Sequence, residues 1–277
     1  METERERFLN HISNKSPATI KTYTQQYNKI VEKELGKKAI GKTDFDEIKE
    51  LLLSQKTVNT MQQRLNIFLL VAKMNEDVEL ETKLKDIRTK NTEKINQENK
   101  EKNVKLAENL PKYSELVEYT ENLFNKKNWV GYLINRLILD YNVRNEDIDL
   151  TITKDKNEIN REDNFIFVSP RAITYIRNKY KTAKTYGQKK HDIKDTKLRK
   201  AIRSILEMNE TDTYSLLKGK DIGYFVLKYT KDKLGEGNYF KIAIHENLGN
   251  LQKLGEMSEN RGTDLKTIKD FYDLEKM

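Results

Sequence analysis

Apolar side chains recur at helical spacing through the N-terminal part of the chain. After Ser16-Pro17, positions Ile20, Tyr23, Tyr27, Ile30 and Val31 share one helical face, with Ser16 or Thr19 as cap and Pro17 in the first turn. The same spacing predicts a helix over 44–54, through Ile48, Leu51, Leu52 and Leu53. It predicts another over 56–73, where Val58, Met61, Leu65, Phe68, Leu69 and Val71 form a broad apolar face. Residues 89–109 are almost wholly polar and lack aromatics, as a flexible linker or an exposed helix would. Beyond Pro111, helices are expected over 112–126 and 128–139, the second carrying Trp129, Tyr132, Leu133, Leu137 and Leu139. The period then changes. Segments 148–153, 164–168 and 173–180 are short, β-branched and aromatic, and turn-rich stretches separate them. KTAKTYGQKKHDI reads as a turn leading to an edge strand, after which Leu198, Ile202, Ile205 and Leu206 restore helical spacing. The pattern predicts a mainly α protein with a small antiparallel β-sheet (α+β). It divides the chain into a helical domain at 1–88, a polar linker at 89–109 and a second domain at 110–277.

Composition narrows the chemistry. The 277 residues include no cysteine, which excludes disulfides, Cys-ligated metal and cysteine nucleophiles. Three histidines, His11, His191 and His245, lie far apart without ligand spacing, so no metal site is expected. No glycine-rich phosphate loop occurs, and no cofactor is expected. The longest apolar stretches, such as IFLLVA at 67–72, fall far short of a bilayer span, and the start METERERF is charged, so an intracellular, non-membrane protein is expected. Lys and Arg total 52 against 44 Asp and Glu, a formal net charge of +8, which favours a polyanionic partner.

Several polar residues stand at junctions between predicted elements. Arg144 follows an apolar helix, with Asp147 three residues later on the same helical face, able to orient the guanidinium. Lys181 sits in the turn YKTAKTYG, and Arg261 in the break NRGT. Tyr272 lies near the end of the closing helix. Two cations flanking a phosphate stabilise a pentacovalent transition state, a lysine can protonate a leaving oxygen, and a tyrosine can be the covalent nucleophile. The basic residues Arg177, Lys179, Lys184, Lys189 and Lys190 flank the turn and can meet phosphates.

Taken in this order, the residues resemble the tyrosine recombinases, or phage-type integrases, over most of the chain. SPATIKTYTQQYNKIV resembles that family's core-binding helices, YNVRNEDIDL its arginine box, YKTAKTYG its lysine hairpin, and TDLKTIKDFYDL its nucleophile segment, in phrasing closest to divergent viral members. The resemblance implies Tyr272 as nucleophile, Arg144 as phosphate clamp with Asp147 in support, and Lys181 as general acid. It implies duplex DNA as substrate, self-association of two to four copies on DNA, and residence in a host cytoplasm, nucleus or virion. Two departures stand out. Where the family has His-x-x-Arg, this chain has Asn238-Tyr239-Phe240-Lys241, so a lysine replaces the second arginine and loses its bidentate fork. The later His or Trp has no match beyond Asn260 or Arg261, with His245 as another source of an imidazole. The expected function is therefore cutting and rejoining of DNA through a 3′-phosphotyrosine. The alternatives are a recombinase-like DNA-binding or virion-architectural protein that has lost cleavage, and a relaxing topoisomerase.

Overall fold

The computed structural model describes residues 2–271 and divides into two compact units at Lys102/Asn103. The first unit contains α1 (Glu4–His11), α2 (Pro17–Tyr27), α3 (Phe45–Leu53), α4 (Val58–Met74) and most of α5 (Val78–Ala107). Ser16 caps α2 by accepting from the Thr19 amide, and Thr57 caps α4 in the same way from Thr60. The core forms where the predicted apolar faces meet, around Phe8, Tyr27, Ile30, Leu52, Leu65 and Phe68. Glu4 is buried within it and fully engaged: its carboxylate accepts from the Tyr27 hydroxyl (2.9 Å), the Ile40 amide (3.1 Å) and Asn75 Nδ2 (2.8 Å). The polar stretch from residue 89 is helical as part of α5, with the i,i+4 pair Lys102–Glu98 near its end.

The second unit is α+β. In chain order it contains α6 (Tyr113–Asn125), α7 (Trp129–Tyr141), β1 (Leu150–Thr153), β2 (Asn164–Val168), β3 (Ile173–Arg177), the short α8 (Ala183–Tyr186), β4 (Lys189–Asp192) and α9 (Thr196–Met208). It continues with β5 (Thr213–Ser215), α10 (Ile222–Tyr229), α11 (Glu236–Glu246), α12 (Leu251–Arg261) and α13 (Leu265–Phe271). Helix α7 is apolar on nearly every side and forms the centre of this unit, with Tyr132, Leu133, Ile134 and Leu137 fully buried. Its one buried amide, Asn135, donates to Tyr229 O (2.8 Å) and accepts from the Tyr239 hydroxyl (2.8 Å).

The sheet is mixed, with strand order β4-β3-β2-β1-β5. The antiparallel expectation holds for β1–β5, β2–β3 and β3–β4 but fails for β1–β2, which are parallel, because the connection at 154–163 carries the chain back along β1 before β2 begins. The strand expected over 173–180 stops at Arg177. Asn164 Oδ1 accepts the amides of Asn178 (2.9 Å) and Lys179 (2.8 Å) and turns the backbone out of the ladder. Alternate residues Ile152, Ile166 and Tyr175 face the helices, so Arg177, two positions beyond Tyr175, also points inward. Among the described residues no helix is long and apolar enough to cross a membrane.

Candidate active site

The C-terminal end of α12 draws together three segments far apart in sequence. A helix leaves its last carbonyls unsatisfied at the negative end of its dipole, which favours cationic donors there. Here Arg144 Nη1 donates to Arg261 O (2.6 Å), Arg177 Nη1 donates to Asn260 O (2.6 Å), and Lys189 Nζ donates to Glu259 O and more distantly to Asn260 O (3.4 Å). Thr182, beside Lys181 in the turn, donates to Gly262 O (3.0 Å).

Local structure brings each donor into place. Helix α7 ends at Asn142 in the left-handed region (φ 50°), and a short 3₁₀ turn follows, with Arg144 at its entry and Asp147 inside it. Between β3 and β4 the loop is closed by the Tyr180 hydroxyl on Gly187 O (2.6 Å). Helix α12 ends in a Schellman arrangement, with Gly262 at φ 64° and the Thr263 amide returning to Ser258 O (3.1 Å).

Beneath this surface lies a buried ion pair. Asp147 and Arg177 are both fully buried, and Asp147 Oδ2 accepts from Arg177 Nη2 (2.5 Å) and from the Arg144 amide (2.8 Å). This corrects two expectations. Asp147 holds Arg144 through its backbone, while its ionic partner is Arg177. Arg177 faces the core, with its guanidinium 5.0 Å from the Tyr180 ring centre, and is not a DNA contact.

The other candidates separate into groups. Arg261 is buried; it pairs with Glu236 (2.7 Å), donates to Val143 O (3.1 Å) and lies 4.3 Å from the Phe240 ring centre. Asn260 takes part through its backbone carbonyl. Lys181, Lys184 and Lys190 are exposed on the β3–β4 hairpin, and Lys179 is exposed and pairs with Asp149 (3.5 Å). Lys241 directs its amine to Asn103 Oδ1 (2.6 Å), and burial lowers its pKa. His245, expected as another source of an imidazole, is exposed in the last turn of α11 and has no contact with the cluster among the described residues. Tyr272 lies outside the described residues.

Lys189 carries more chemistry than a DNA contact alone. Burial, and then the nearby Arg177 charge, lower its pKa to about 8, so it gives up a proton far more readily than an ordinary lysine. Nothing in the sequence distinguishes it from the neighbouring lysines, because its burial depends on the β3–β4 register. Glu236 was also missed, as its pairing with Arg261 spans two helices. Among the described residues no group of acids and histidines is placed to hold a metal ion.

Two measurable consequences follow from this packing. A Cβ on Gly262 would lie 2.2 Å from Thr182 Oγ1 on backbone that side chains rarely adopt. Gly262→Ala should therefore destabilise the second unit by about 1–3 kcal/mol in chemical denaturation. A loss below a few tenths would mean that the hairpin and α12 are not held this closely.

His191, on β4, packs against Tyr141 (5.2 Å) and Tyr175 (6.2 Å). Burial first, then Arg177 and Lys189, lower its pKa to about 4. Its folded value thus lies below the ordinary 6.5 or so, and the unfolded chain binds the extra proton. The stability it contributes is complete above about pH 6.5 and is lost as pH falls towards 4, amounting to about 2 kcal/mol between pH 7 and pH 5. Denaturation at both pH values should show this loss in wild type and a smaller one in His191→Leu; equal losses would place the imidazole in water.

No protein-family model and no curated protein matches the chain. Among solved structures it is similar to a crystal structure of XerA recombinase, at 14% identity and a TM-score of 0.36, over 97% of this chain and 92% of that one.

Proposed function

We propose that this protein cuts and rejoins duplex DNA with Tyr272 as the nucleophile. One observation carries the reading: the segment holding Arg144, the hairpin holding Lys181 and Lys189, and the NRGT turn leading into α13 converge on the end of α12, although their contacts span 70 to 117 positions. In the proposed step the Tyr272 hydroxyl gives up its proton to solvent and its oxygen forms a bond to the scissile phosphorus while the bond from phosphorus to the 5′-oxygen breaks. Arg144 neutralises the developing charge, and a hairpin lysine gives its proton to the leaving oxygen. Rejoining is the reverse, with a 5′-hydroxyl displacing the tyrosine. The energy of the phosphodiester is kept in the phosphotyrosine, and assembly of several copies on DNA belongs to the same reading.

A second reading is favoured by a different observation. The guanidinium groups of Arg177 and Arg261 are buried in internal ion pairs, and the Lys241 amine is taken by Asn103. A protein that binds DNA without cleaving it would tolerate this use of its cations. Incubation with nicked duplexes without added metal, followed by SDS, separates the two. An adduct with wild type and none with Tyr272→Phe supports cleavage; salt-sensitive binding with no adduct from either supports the binding-only reading.

A further inference from the structure

The sheet carries a second cationic surface at its other end. Strand β3 runs from Ile173, beside the β2–β3 turn, to Arg177 at the candidate site. The two ends are about 13 Å apart at the usual rise of a strand. At the Ile173 end the exposed Arg171 occupies the turn, and Arg199 Nη2 on α9 donates to its carbonyl (3.0 Å), fixing the helix against the turn. Along α9 an open groove of about 410 Å³ is lined by Thr196, Arg199, Lys200, Arg203, Ser204 and Glu207.

The ion pairs around α9 set this groove apart. Lys197, on the adjacent face, is tied to Glu121 (2.6 Å). Arg199, Lys200 and Arg203 have no carboxylate within ion-pair distance among the described residues. Arg199 and Arg203 are half-buried, so less side-chain freedom is lost when they take a ligand. Thr196 and Ser204 add neutral donors, and Glu207 at the far end is the one acid of the lining.

We propose that α9 and the β2–β3 turn form a second binding surface for a nucleic-acid phosphate backbone, separate from the Arg144 site. Arg199 and Arg203 stand one helical turn apart, about 6 Å along the axis. That is close to two phosphate steps along one strand, about 6.8 Å, whereas a single small anion would need converging rather than stepped donors. With both surfaces occupied, one chain links two duplexes. The proposal requires DNA binding and does not depend on strand cleavage.

The test uses the full chain held on a bead-bound duplex of random sequence, with a dye-labelled second duplex added. Wild type should capture the second duplex. Arg199→Gln/Lys200→Gln/Arg203→Gln should stay on the first duplex but capture the second at least about tenfold less, with a salt dependence of capture shallower by about three phosphate contacts. Lys200→Gln alone changes only an exposed side chain and should lose part of the capture, which guards against a folding defect in the triple variant. Undiminished capture by both variants, or no capture by wild type, overturns the proposal. Displacement of the second duplex by poly-glutamate at equal charge concentration also overturns it, since the surface would then recognise acidic chains in general. Failure of the adduct assay leaves these outcomes unchanged, so the two readings fail separately.

Discussion

Arg177→Ala should lower the unfolding free energy of the second unit by about 3–5 kcal/mol, the cost typical of removing one partner from a fully buried ion pair. The change strands the Asp147 carboxylate at zero exposure and removes the closer of the two donors to Asn260 O, so α12 loses one of the cations at its negative end. It also removes the cation from the Tyr180 ring. The chain has a single tryptophan, Trp129, which is buried at the start of α7 with its ring 5.3 Å from that of Phe124. Its fluorescence during urea denaturation therefore reports on the second unit. The double variant Asp147→Leu/Arg177→Met should recover much of the loss, because replacing both charges with apolar side chains of similar length removes the stranded carboxylate. A loss below about 1 kcal/mol in Arg177→Ala would show that Asp147 does not depend on this arginine.

The largest functional effect is expected at Tyr272. Tyr272→Phe removes only the hydroxyl oxygen, which in the proposed step becomes the bridge to phosphorus. The SDS-resistant adduct should vanish, while duplex affinity at fixed salt should stay within about twofold, since nearly all of that affinity comes from cationic contacts to phosphates. Arg144→Ala should still form adduct, about a hundred- to a thousandfold more slowly, the range typical for losing one preorganised donor to a developing charge. Equal adduct from wild type and Tyr272→Phe would identify a different nucleophile. No adduct from either, with binding intact, would leave the chain as a DNA-binding protein.

Ser16-Pro17 is a local signal, and the helix it opens begins where expected because an amide and a side-chain oxygen three residues apart need no distant partner. The apolar face of α7 was equally plain, as helical spacing alone determines which positions can be buried together. Inward alternation along β3 already placed Arg177 beside Tyr175 and Ile173, and an arginine on a core face requires a buried acid. The charged surroundings of the segment nevertheless made it look like a surface cation.

By itself the sequence determined the helix opened by Ser16-Pro17, the apolar helix α7 and four of the five strand segments, since each depends on contacts within a few residues. Tertiary structure alone decided that β1 and β2 run parallel, that Asp147 pairs with Arg177, that Arg261 pairs with Glu236, and that Lys189 rather than a neighbouring lysine has its pKa lowered. Each of these depends on burial and on partners brought together from distant parts of the chain, and the free energy of a charge is set by what surrounds it in space rather than by its neighbours in sequence.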